Sequence, residues 1–122
     1  MNETIKQALE TDRLIDFTAT GRKTGQPRRK EIAFHYLDGE VFIAGPPRPR
    51  DWLANLTANP EFTVHFKQSL QADMPATAIV VTDKAKRREV FTKMAERRGD
   101  RQPINVDEWV EGSPLVQIEF HS

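Results

Sequence analysis

Apolar side chains recur along this chain mostly at intervals of two, the spacing of a β-strand with one buried face. Leu14 to Thr20 has strand character up to Gly21. From Arg29 to Leu37 the alternation puts Ile32, Phe34 and Tyr36 on one face and Ala33, His35 and Leu37 on the other. Asp38-Gly39 then turns the chain tightly into Val41 to Ala44, the pattern of a β-hairpin. Phe62 to Lys67 and Leu115 to Phe120 alternate in the same way, and Thr77 to Thr82 is a β-branched run suited to a buried strand.

Helical spacing appears three times. Ile5 and Leu9 stand four apart within residues 3–11. Residues 51–58 predict a short helix with Asp51 as its N-cap, Asn59-Pro60 as its stop, and Trp52, Asn55, Leu56 and Asn59 on one face. In residues 83–98 the apolar positions are Val90, Phe91, Met94 and Ala95, with Asp83 as cap, Gly99 past the end, and a solvated face of Lys and Arg.

Strands outnumber helices and the one long helix comes late, which argues against repeated β-α-β units and for antiparallel pairing. Closing such a sheet removes its exposed edges. The expected fold is therefore mainly β (α+β), a six-stranded antiparallel β-barrel with helices packed outside, as a single domain over residues 1–122. Gly45 to Arg50, with three prolines, reads as a loop inside that domain and not as a linker.

Composition narrows the chemistry. The 122 residues carry 18 basic and 18 acidic side chains and no cysteine. Balanced charge disfavours a general nucleic-acid binder. The absence of cysteine excludes disulfides, thiolate nucleophiles and cysteine-ligated metals, and suits a reducing compartment. No signal peptide begins the sequence and no apolar run approaches the roughly 20 residues that span a bilayer, so a cytoplasmic protein is expected. His35, His65 and His121 are too scattered for a metal-ligand spacing, and no nucleophile-elbow context is present.

One segment stands out against the zero net charge. Residues 18–30 read T-A-T-G-R-K-T-G-Q-P-R-R-K, with five cations between Arg22 and Lys30 beside Gly21 and Gly25. Glycines let backbone N–H groups approach a ligand, and clustered cations attract anions. The spacing is not that of a phosphate-binding P-loop, and a strand follows where that motif needs a helix. An anion site and a merely soluble hairpin loop both fit these residues. Trp52, close to a Gly- and Pro-rich loop, fits either a core anchor or the wall of a planar-ligand site.

Taken together, T-A-T-G-R-K-T-G-Q-P-R at 18–28, the turn at 38–39, V-F-I-A-G at 41–45 and D-W-L-A-N-L-T-A-N-P at 51–60 resemble the deazaflavin-dependent nitroreductase family. The resemblance covers residues 14–82 well and the last 40 residues poorly. It implies a split β-barrel of the FMN-binding type that binds coenzyme F-420, an 8-hydroxy-5-deazaflavin with a phosphate and a polyglutamate tail. Such a protein passes hydride to quinones, nitroaromatics or other activated double bonds.

Carried over residue by residue, the resemblance assigns Arg22, Lys23, Thr24 and Arg28 to the anionic tail. It places Ile43, Ala44 and Gly45 beside the ring, and assigns closure of the pocket to Asp51, Trp52 and Asn55. Family members commonly continue the strand after residue 45 with a small or hydroxyl residue, Lys and paired glycines. Pro46-Pro47-Arg48-Pro49 stands there instead, so backbone donors are lost and Arg48 is the candidate for the lysine's charge. A small-molecule acceptor and a homodimer are also implied. The alternatives left open are FMN, haem or a fatty acid in the same barrel, and a nucleic-acid or protein module using the basic loop and helix.

Overall fold

The computed structural model describes residues 2–100 and 102–121. The elements are α1 (Glu3–Thr11), β1 (Leu14–Thr20), β2 (Pro27–Leu37), β3 (Glu40–Ala44), α2 (Asp51–Ala58), β4 (Glu61–Phe66), β5 (Ala72–Val80), α3 (Lys84–Arg98), α4 (Val106–Gly112) and β6 (Leu115–Phe120). The strands pair antiparallel and close into a barrel in the order β1-β2-β3-β6-β5-β4. Among the described residues no helix is long and apolar enough to cross a membrane.

Strand alternation builds two cores on the two sides of one sheet. Ile15, Phe17 and Ala19 of β1 point inward to meet Phe34, Ile43, Val64 and Val116, and α1 and α2 add Ile5, Leu9, Trp52 and Leu56 to the same cluster. Leu37, Phe42 and Leu115 point outward and seat Val90, Phe91 and Met94 of α3 with Trp109 and Val110 of α4. Strand β3 is consequently buried on both faces, with Phe42 1% and Ile43 0% exposed. Burying each such side chain contributes about 1.5–3 kcal/mol.

The barrel is split along β2. That strand pairs with β3 only from Phe34 to Leu37, yet its ladder with β1 continues back to Pro27. From Pro27 to Ala33 it is held by β1 alone, and the chain leaving β3 at Ala44 turns away through the Pro-rich loop.

Four details differ from the sequence expectation. Strand β2 starts at Pro27, two residues early, because Pro27 opposes Thr20. Strand β5 runs from Ala72 to Val80 instead of 77–82. Its Pro75 turns its carbonyl to His121 N at 3.0 Å, so its missing N–H takes nothing from the β4 ladder. Arg50, not Asp51, occupies the N-cap of α2 and makes no side-chain cap bond, so Asp51 is the first helical residue. Finally α4 is a fourth helix. Asn105 Oδ1 accepts from Glu108 N at 3.1 Å, and this capping signal could have revealed it.

Candidate functional site

Residues directly opposite in an antiparallel pair share a face. Lys30 opposes Phe17 and Arg28 opposes Ala19. The inward face of β2 therefore reads Tyr36, Phe34 and Ile32 within the barrel and then Lys30 and Arg28 beyond it, changing from apolar to cationic where β3 ends. A cleft of about 410 Å³ opens there, with Phe17, Ala19 and Trp52 along its apolar side and Arg22, Lys23, Arg28 and Lys30 along the other. Trp52 is a core residue at the edge of the cleft. It is 7% exposed and meets Phe17 edge-on, with centroids 6.1 Å apart at 71°, and it also lines the cleft.

The loop between β1 and β2 folds on itself. Gly21 N–H donates to Gln26 O at 2.8 Å, Gly25 N–H to Gly21 O at 2.9 Å, and Gln26 N–H to Thr24 Oγ1 at 3.2 Å. Gly25 has φ +72°, and a Cβ on Gly21 would lie 3.0 Å from Thr24 Oγ1. The closure thus requires glycine at 25, and at 21 a side chain would crowd Thr24 and the Gln26 carbonyl.

Arg22 is anchored from α2. Its backbone N–H and its Nη1 both donate to Asn55 Oδ1, at 3.0 and 3.1 Å, and Asn55 is only 7% exposed. Its Nη2 lies 3.4 Å from Asp51 Oδ1, but the Asp51 side chain is 93% exposed. A long, solvated pair of this kind is worth well under about 1 kcal/mol and yields readily to another anion. Arg28 Nη2 reaches Thr24 Oγ1 at 3.3 Å. Among the described residues Lys23, Arg28 and Lys30 have no carboxylate partner, and Asp51 is the one carboxylate on the cleft.

Arg29 points the other way. On the outer face its Nε donates to Asp16 Oδ2 at 3.0 Å, and Lys67 bonds the same carboxylate at 2.7 Å and also Glu31. Lys67 first, then Arg29, holds the Asp16 carboxyl below the usual range.

The fold thus gathers Arg22, Lys23, Thr24, Arg28, Asp51, Trp52 and Asn55 around one opening. Ile43, Ala44, Gly45 and Arg48 do not line it. The Ile43 side chain is in the barrel core, and Arg48 is exposed on the Pro-rich loop. Arg50 lies over Gly45, where a Cβ would sit 3.0 Å from Nη2, and donates to Pro46 O at 3.1 Å. Lys30, Phe17 and Ala19 were not among the expected site residues. The alternation that marks Phe34 and Ile32 as inward, followed back two more positions, points to Lys30. The histidines lie apart: His65 bridges Thr18 and Asp73 on the outer face, both at 2.7 Å, and His121 contacts Thr77. Among the described residues no cluster of three potential metal ligands occurs.

A sequence model of the F420H2-dependent quinone reductase family matches residues 1–107. The chain belongs to that family. The reductase is similar in fold to a conserved hypothetical protein from Mycobacterium tuberculosis, with TM-score 0.76 and 18% identity over 100% of this chain and 82% of the other. It is similar to an F420 reductase with TM-score 0.72 and 14% identity over 100% and 97%. It is also similar to HutZ, the heme storage protein of Vibrio cholerae, with TM-score 0.66 and 15% identity over 98% and 89%.

The reductase is an F-420-dependent oxidoreductase, and the lining of its cleft is of a kind that suits a flat ring with an anionic tail. Uncommitted cations answer a phosphate and glutamyl carboxylates, and a buried aromatic side answers a flat ring.

Proposed function

We propose that this reductase passes hydride from reduced F-420 to quinones, and also to nitroaromatics or other activated organic acceptors. Lys23, Arg28 and Lys30, with Arg22 and Thr24, hold the anionic tail, and Phe17 and Trp52 wall the ring. The observation that carries this is the row of cations without carboxylate partners on the inward face of β2, directly opposite Phe17 and Ala19.

When bound, the cofactor supplies the hydride from its own ring, so the protein needs no nucleophile of its own. The side chains bind and orient. Asn55 holds Arg22 at the cleft by two hydrogen bonds, which lowers the cost of ordering that guanidinium when an anion arrives. The apolar side excludes water and leaves a surface on which two planar reactants can be kept in register. For Ile43, Ala44 and Gly45 to lie beside the ring, with Arg48 supplying charge there, the Arg50 guanidinium over Gly45 has to swing aside.

Titration with reduced F-420 at two ionic strengths is the first test. Affinity falls as salt rises, because an exposed charge row is screened over about 8–10 Å. Reoxidation of the cofactor on adding menadione then reports hydride transfer. Absence of binding at low salt overturns the proposal, and binding without reoxidation removes the quinone step.

A further inference from the structure

A second and larger opening lies on the far side of β2 from the cleft. It is a groove of about 1010 Å³, floored by the outward residues Ala33 and His35 and walled by the end of α1 and the last turns of α3. The exposed Ala33 makes part of its lining apolar, with Leu9 and Met94 nearly covered behind it, and Arg13, Arg97 and Arg98 bring three cations to it. None of the three has a carboxylate partner among the described residues. The acids nearby are mostly engaged. Asp38 is paired with Lys93, and Asp12 Oδ2 accepts from Ser69 N at 3.2 Å and Ser69 Oγ at 3.0 Å. Glu10 and Asp12 both stay anionic, since hydrogen bonds from a serine leave the Asp12 charge in place, and the three guanidiniums outnumber these two carboxylates by one. The carbonyl end of α3 carries about half a negative charge, which the two full charges of Arg97 and Arg98 outweigh.

At the floor of this groove His35 has no hydrogen-bond partner among the described residues, although most of its surface is covered. An imidazole so placed retains an N–H to donate, and a planar guanidinium matches a carboxylate. We propose that this groove binds a small carboxylate with an apolar body, its oxygens on Arg97, Arg98 and Arg13 and on the His35 ring N–H, its body against Ala33 and the aliphatic stems of the arginines. The site is separate from the F-420 cleft and does not depend on it.

The titration of His35 supplies a signature. Burial first, then the charges of Arg98 and Arg97, push its pKa down to about 4. The other groups facing the groove are Arg13, Glu10, Asp12, Tyr36 and Asp38. A bound carboxylate adds negative charge beside the imidazole and raises that pKa, so binding tightens as pH falls. A rise of about two units makes it roughly three- to fivefold tighter at pH 5.5 than at pH 7.

The test follows the His35 ring resonances of the full chain by NMR, with benzoate, benzamide and acetate as probes. Benzoate is expected to shift them saturably, with benzamide and acetate at least tenfold weaker. Arg97→Ala, at an exposed position, combined with Arg98→Gln weakens benzoate at least tenfold while leaving the F-420 titration unchanged. His35→Gln, followed by calorimetry, keeps benzoate binding at pH 7 within about threefold and removes the tightening at pH 5.5. Equal binding of benzamide, no response to benzoate, or full benzoate affinity in the double variant overturns the proposal.

Discussion

Two stretches of this chain are rich in Lys and Arg, residues 22–30 and helix α3, and the fold treats them in opposite ways. On α3 most of the cations are spent on the protein itself. Lys84 pairs with Glu111, Lys86 with Glu40, Arg88 with Asp107, and Lys93 with Asp38 and Glu89. Arg87 donates to the carbonyls of Val81, Trp109, Val110 and Ser113, pinning α3 to α4 and to the chain entering β6. The end of the helix is the exception: Arg98 lies over the Trp109 ring, 5.3 Å from its centroid, and among the described residues neither it nor Arg97 has a carboxylate partner. Around the cleft, by contrast, Arg29 alone has a close carboxylate partner, and it points to the other side of the sheet. A cation that is already neutralised and desolvated serves the fold, whereas one left unpaired beside an apolar wall is available to a ligand.

Substitutions at the two stretches should separate stability from binding. The largest effect is expected from Arg87→Ala, which strands several partly buried carbonyls. Denaturant unfolding should show a loss of about 3 kcal/mol, with F-420 affinity in the folded protein unchanged. Weaker F-420 binding with intact stability would reverse the roles assigned to the two stretches. The double variant Arg28→Gln, Lys30→Gln should do the opposite. Each lost charge-assisted contact is worth about 1.4 kcal/mol, so F-420 binding weakens roughly a hundredfold by titration, with the melting temperature unmoved.

Asn55→Ala sits between these extremes. It leaves the Arg22 N–H without its acceptor, so it should cost about 1–2 kcal/mol of stability and weaken F-420 roughly fivefold. The smallest effect concerns Asp16, the partner that takes Arg29 out of the cleft. Its carboxyl is held below the ordinary aspartate value of 3.8 in the folded protein, so its contribution is present above about that pH and fades as pH falls through the lower folded value. Asp16→Asn should cost about 1 kcal/mol or less at pH 7 and flatten the acid limb of the stability curve below pH 4.

Much of this was legible along the chain. Six strands, the turn at Asp38-Gly39, α1 and α3 follow from alternation, helical spacing and caps, because each depends on residues close in sequence. The glycine-bracketed cations were legible as one candidate anion site, and the family resemblance, not local pattern, added the W-x-x-N segment. Helix α4 was missed because seven residues offer too little periodicity, although Asn105 and Glu108 carried its start. The early start of β5 was hidden by Pro75, which reads as a strand breaker until its backbone is seen to face away from β4.

The sequence by itself determined which elements form, that cations cluster in one loop, and that aromatic and asparagine side chains share a face of α2. Only the tertiary structure decided which cations matter. Register put Lys30 and Arg28 opposite Phe17 and Ala19 and turned Arg29 to Asp16, and packing brought Asn55 under Arg22 from 33 residues away. The reason is physical. Local patterns act through neighbouring side chains and backbone bonds, while the availability of a charge depends on which opposite charges and apolar surfaces the folded chain brings within a few ångströms of it.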